Sequence, residues 1–107
     1  TDEHKQYLEV APWLIVMFRL VKDDDGGQVY YTHESAGIAA GLLLAAVHHA
    51  GLAALTHTPS PMGFLNDLLE RPAREKAMLV MPVGYPAQDA RVPDLERKSL
   101  EHIAVWK

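Results

Sequence analysis

Val10-Ala11-Pro12-Trp13-Leu14-Ile15-Val16-Met17-Phe18-Arg19-Leu20-Val21, followed by Lys22-Asp23-Asp24-Asp25-Gly26-Gly27, is the stretch that decides the fold. The first part is almost continuously apolar, rich in β-branched and aromatic residues, and without a 3.6-residue period. It reads as a strand buried on both faces. The second part breaks it. Asp-Gly and Gly-Gly supply positive φ at little cost, so the spacing predicts a tight hairpin turn leading to Val29-Tyr30-Tyr31. A tight hairpin implies antiparallel pairing. With the helices that follow, the chain is expected to be α+β and not a doubly wound parallel sheet.

Downstream of the turn the pattern changes to a long helix, from about Thr32 to Ala50, with Thr32 as its expected N-cap and Gly51 as its stop. Ile38, Leu42 and Ala45 line one face, Leu43 and Val47 another. Gly37, Gly41, Leu44 and His48 follow a third line of i, i+4, i+7, i+11. A helix apolar all round is a buried one, and its Gly and Ala residues admit a second backbone at close range. Within 107 residues little is left to surround it. The helix therefore implies partner surface from elsewhere: the rest of a longer subunit or a second copy.

Further along, Leu52 to Thr56 reads as a short strand ending in Thr56-His57-Thr58-Pro59. A second helix is expected from about Gly63 to Leu69, ended by Arg71-Pro72. Ala77 to Val83 reads as another buried strand closing in Gly84-Tyr85-Pro86. Ala87 to Ser99, with Pro93 and mixed charge, reads as an irregular arm. Leu100 to Trp106 is expected as a terminal strand.

Composition excludes several function classes. Hydrophobic residues make up 49% and charged residues 22%, which is the profile of an ordinary globular chain. The net charge of −4 gives a nucleic-acid partner no electrostatic support. With no cysteine there is no disulfide framework and no thiolate metal site. The triple aspartate lacks the alternating ligands and distal Glu of a calcium loop. His48 and His49, adjacent on a helix, point about 100° apart and do not readily share a metal. No metal is expected. The polar opening Thr1-Asp2-Glu3-His4-Lys5 is neither a signal nor a transit peptide, and no apolar run is long enough to span a bilayer, so a cytoplasmic location is expected, with an upstream anchor left open.

Two features are candidates for chemistry. Pro59 biases Thr58 to an extended conformation, so Thr56 and Thr58 face one side of the strand end and His57 the other. Two hydroxyls and free backbone donors there suit the edge of a planar polar ligand; an N-terminal cap for the following helix is the competing reading. Arg91, Arg97 and Lys98 in the arm, interleaved with Asp89, Asp94, Glu96 and Glu101, form either a charge-balanced solvated surface or an anion clamp. Phosphate loops, serine elbows, zinc-protease motifs and paired carboxylates are missing from the sequence.

Three groups of motifs taken together resemble the iodotyrosine deiodinase group of the FMN-binding nitroreductases. The first is Tyr30-Tyr31, Ser35 and Ile38 to Ala46, with Ala50-Gly51-Leu52. The second is Thr56-His57-Thr58-Pro59, similar to a Thr-Thr-Thr-Pro flavin segment but departing at His57. The third is Arg71-Pro72-Ala73-Arg74-Glu75-Lys76, Met81-Pro82-Val83-Gly84-Tyr85-Pro86 and Val92-Pro93-Asp94-Leu95-Glu96-Arg97-Lys98. The Val-Gly-Tyr-Pro element is widespread in nitroreductases, and the Val-Pro-Asp-Leu-x-Arg-Lys arm is narrower.

The resemblance implies that residues 1–107 are the C-terminal part of a single nitroreductase-like domain. Residues 87–107 would be an arm reaching across to a second subunit. An N-terminal half would complete the subunit, and the whole would be an intertwined homodimer with FMN at the interface. FMN would be reduced by NADPH, NADH or a partner reductase and would reduce a small aromatic substrate, by removing iodide from iodotyrosine-like compounds. Nitro or quinone reduction, or a non-catalytic fragment that binds no flavin, are the alternatives. Thr58 matches the hydroxyl near flavin N5, where it favours stepwise one-electron transfer. Thr56 and His57 would line the flavin ring through backbone donors, and Arg97 matches the arginine on the FMN phosphate.

Overall fold

The computed structural model describes residues 4–107; Thr1, Asp2 and Glu3 of the polar opening lie outside the described residues. The elements run α1 (Tyr7–Val10), β1 (Trp13–Leu20), α2 (Thr32–His49), β2 (Ala53–Ala54), α3 (Phe64–Leu68), β3 (Glu75–Gly84) and α4 (Leu100–Ile103). The three strands form one antiparallel sheet in the order β1-β3-β2. The chain is α+β, as the sequence implies, but the deciding antiparallel pair is β1 with β3, remote in sequence. The Asp23–Gly27 turn is present, closed by the Asp23 amide on the Gly27 carbonyl at 3.0 Å. It leads to a single bridge, Lys22 with Gln28, and not to a strand.

β3 is the centre of the molecule because it alone has a strand on each side. Leu79, Val80, Met81, Pro82 and Val83 are all buried, and Met81 is 0% exposed. Paired residues in a sheet share a face. Leu79, Met81 and Val83, with Met17 of β1 and Ala54 of β2, pack against Ala40, Leu43, Leu44 and Val47 of α2. Val80 and Pro82 turn to the other face.

Pro82 also explains the brevity of β2. In register, Leu55 opposes Pro82, and its amide donates to the Pro82 carbonyl at 3.3 Å. Pro82 has no N–H to return the bond, so the ladder breaks there. It resumes once, at His57 with Val80.

α2 begins one residue earlier than a Thr32 cap requires. Tyr31, at φ 55°, is the cap residue, and the Thr32 hydroxyl instead accepts a hydrogen bond from Arg19 Nη1 at 3.1 Å. Its end is as expected. Gly51 at φ +75° takes the left-handed position, with Leu52 N–H on the Val47 carbonyl at 3.1 Å and Gly51 N–H on that of His48 at 3.0 Å. At Gly84 the chain closes on the Pro12 ring: a Cβ there would lie 2.8 Å from Pro12 Cδ.

Two further expectations are corrected. β1 is not buried on both faces; it is an edge strand, and Trp13 is 72% exposed while Leu14 and Ile15 are also open. Leu100 to Trp106 is not a strand. Leu100–Ile103 forms the short helix α4, whose His102 and Ala104 amides bond back to the Ser99 and Leu100 carbonyls and not to a strand.

The chain as a whole is open. Its accessible surface is 9114 Å², against about 5,900 Å² for a compact chain of this mass. Its radius of gyration is 16.8 Å, against about 13 Å. The excess lies on the outer face of α2, where Ile38 is 66% and Leu42 68% exposed and Gly37 and Gly41 meet nothing, and in the exposed arm from residue 87.

Candidate functional site

The alternation of an antiparallel ladder fixes what each residue of Thr56-His57-Thr58 presents. The hydrogen-bonded pairs of β2 with β3 fall at Leu55–Pro82 and His57–Val80. His57 and Val80 exchange both bonds, at 2.8 and 2.7 Å. Thr56 falls between them and Thr58 follows the second, so their amides and carbonyls point away from β3 to the open edge of the sheet. Neither amide nor either hydroxyl has a hydrogen-bond partner among the described residues, and both residues are exposed. A strand edge with two free amides, two free hydroxyls and the carbonyls beside them is a row of polar groups without protein partners among the described residues.

His57 differs in every respect. Its amide is used by Val80, so it is not a free donor at the edge. Its ring lies on the face opposite to Thr56 and Thr58, as the period of two requires. There the Tyr7 hydroxyl meets His57 Nδ1 at 3.2 Å, with the two rings edge to face, centroids 5.9 Å apart at 82°. Tyr7 was not legible as a site residue: it lies 50 positions from His57, and no local spacing links them.

The competing helix-cap reading of this segment does not hold. α3 starts six residues beyond Thr58, its cap residue is Gly63, and no side chain caps it. Between them the chain passes a cis Ser60–Pro61 bond.

Arg97 lies in the exposed arm with Arg91 and Lys98. None of the three has a carboxylate at ion-pair distance among the described residues, although Asp94, Glu96 and Glu101 are close in sequence. The arginines near β3 are paired. Arg71 makes a two-pronged contact with Glu75, 2.7 Å from each nitrogen, which holds the Glu75 carboxyl below and the Arg71 guanidinium above their ordinary ranges. Arg74 is bonded to Asp24 of the turn. Thr56, His57 and Thr58 are therefore brought together at one strand end, while Arg97 is held on a separate arm.

Among the described residues no group of three or more His, Asp or Glu side chains forms a metal cluster, and no helix is long and apolar enough to cross a membrane.

No protein-family model matches the chain. Individual relatives do. An iodotyrosine deiodinase of Haliscomenobacter hydrossis is 58% identical over 98% of this chain and 49% of its own length. One of Nematostella vectensis is 50% identical over 100% of this chain and 42% of its own. Among solved structures, an oxidised iodotyrosine deiodinase bound to FMN and 3-iodo-L-tyrosine superposes with a TM-score of 0.78 at 28% identity, over 91% of this chain and 48% of that one. The chain spans about half the length, or less, of the curated relatives it matches.

Proposed function

We propose, for a chain homologous to the iodotyrosine deiodinases of the nitroreductase superfamily, that it forms part of an FMN-dependent oxidoreductase that removes iodide from iodotyrosine-like aromatics. The observation that carries this is the strand end itself. Thr56 and Thr58 present amides and hydroxyls outward without a hydrogen-bond partner among the described residues, at the position where the resemblance puts a flavin ring. That donor set fits the ring edge of FMN, which offers acceptors along one side. An arm arginine without a carboxylate fits its phosphate.

Bound FMN supplies the two electrons that, with a proton, replace an aromatic C–I bond by C–H and release iodide. The chain's own residues bind and orient. The Thr56 amide takes a ring acceptor. Thr58, held extended before Pro59, directs its hydroxyl at N5. His57 contributes no amide, since that N–H is spent on Val80; this revises the backbone-donor role expected for it. Arg97 binds the phosphate from an arm that reaches a second subunit. The bare outer face of α2, around Gly37, Gly41 and Leu42, is covered by the rest of the subunit or by the second copy of a homodimer. NADPH, NADH or a partner reductase supplies the electrons.

The test uses the full-length protein. It is expected to purify yellow with about one FMN per chain and to release iodide from 3-iodotyrosine under reductant. A colourless protein that takes up no FMN, or a flavoprotein that leaves iodotyrosine intact, overturns the reading.

A further inference from the structure

His57 is the residue of the strand end that the proposed chemistry does not use, and it is also the best held. Its backbone is fixed to the central strand by two hydrogen bonds with Val80, at 2.8 and 2.7 Å. Its ring is fixed from the opposite direction by Tyr7 of α1, through the 3.2 Å hydroxyl contact and the edge-to-face packing. Its neighbours on either side, Thr56 and Thr58, have no hydrogen-bond partner among the described residues. Pro82 has already broken the ladder, so beyond Leu55 His57 is the one point among the described residues at which this segment is hydrogen-bonded to the sheet.

We propose that Tyr7 and His57 act as a positioning couple: the Tyr7 hydroxyl on His57 Nδ1 fixes the rotation of the strand end and so aims the Thr58 hydroxyl. The proposal rests on the FMN reading above. The couple as proposed uses the tautomer in which Tyr7 donates, Nδ1 accepts and the imidazole proton sits on Nε2; the other tautomer reverses the bond. The mechanical logic is that of a single peptide unit. The two bonds to Val80 form one bridge, about which the segment beyond the broken ladder can still twist, and Thr58, one residue away, swings with that twist. A second contact from α1 removes that freedom. Positioning of this kind acts on an interaction and not on binding at large, because a hydroxyl displaced by a fraction of an ångström loses its hydrogen bond while the phosphate and ring contacts remain.

The experiment uses the full-length protein with two readouts. In the FMN-free state, ring ¹⁵N spectra of His57 report the tautomer. Wild type is expected to hold the proton on Nε2, and Tyr7→Phe to give the mixed tautomers of a free imidazole. With FMN bound, a spectroelectrochemical titration reports how far apart the two one-electron reduction steps lie. Tyr7→Phe is expected to retain FMN and to change the ratio of the two step constants by about two- to fivefold, in the same direction as Thr58→Ala, the scale of one neutral hydrogen bond. The Tyr7→Phe/Thr58→Ala double variant is expected to show no more than Thr58→Ala alone, since the couple acts through that hydroxyl. His57→Ala should match Tyr7→Phe, and His57→Asn, whose amide oxygen can accept from Tyr7, should restore the wild-type ratio.

A silent Tyr7→Phe beside an effective Thr58→Ala overturns the couple and leaves the FMN reading standing. So does additivity in the double variant, loss of FMN from Tyr7→Phe, or a His57 tautomer indifferent to Tyr7. A silent Thr58→Ala overturns the N5 role and the couple together.

Discussion

β3 and the outer face of α2 are equally apolar, and only one of them is covered. From Leu79 to Val83 every residue of β3 is buried, because a strand lies on each side and α2 lies across one face. Ile38 and Leu42 on α2 are two-thirds exposed, because none of the described elements lies over them. Charge follows the same division. Arg71 and Arg74, beside β3, are paired within the chain, whereas Arg97 and its neighbours on the arm have no acidic partner among the described residues. A covered half whose bonds close on themselves adjoins an open half whose groups all point outward. The difference separates what this sequence can stabilise alone from what it holds ready for other surfaces.

The largest expected effect breaks the comparison by isolating the chain. About 3,200 Å² of surface beyond that of a compact chain is the scale of an obligate interface. The 107-residue chain by itself should therefore unfold without a sharp transition or self-associate, and it should bind a hydrophobic dye. A monomer that unfolds cooperatively in urea would show that β3 and its flanks suffice.

Next in size is Arg97→Ala in the full-length protein. On the proposed reading it weakens FMN binding by about 1.5–3 kcal/mol, the scale of one charge-assisted contact, and leaves urea stability of the FMN-free protein unchanged. Undiminished flavin retention through desalting would return Arg97 to the solvated surface. The smallest effect belongs to the covered half. Arg71 depresses the Glu75 carboxyl, so the pair contributes stability above the ordinary carboxylate value of 4.5 and loses it as pH falls through the lower value of the folded state. Glu75→Gln should lower the urea midpoint slightly at pH 7, and the gap should close in acid. A gap of constant size from pH 7 to pH 3 would show that charge is not its source.

Much of this division was legible in the sequence. The unbroken apolar run at Ala77 to Val83 and the small-residue helix from Thr32 to Ala50 both announce burial, and a helix apolar all round in so short a chain pointed to partner surface from elsewhere. Local pattern cannot say which apolar element obtains cover. The run at Val10 to Val21 reads as strongly as β3 does, yet it lies at the sheet edge. Nor could spacing find Tyr7, whose contact with His57 exists only because β1 carries α1 back across the sheet. The two-residue period of Thr56-His57-Thr58 was legible; which of them keeps a free amide was not, since that depends on register with β3 and on Pro82 interrupting the ladder.

That register gives the most direct test of the strand end as the flavin site. Amide hydrogen exchange, resolved residue by residue by NMR, is measured on the full-length protein with and without FMN. His57, bonded to Val80, should be protected in both states. Thr56 and Thr58 should exchange freely without FMN, and Thr56, with Thr58 beside it, should become protected when FMN binds. Protection at neither threonine on addition of FMN would contradict the placement of the flavin at this edge.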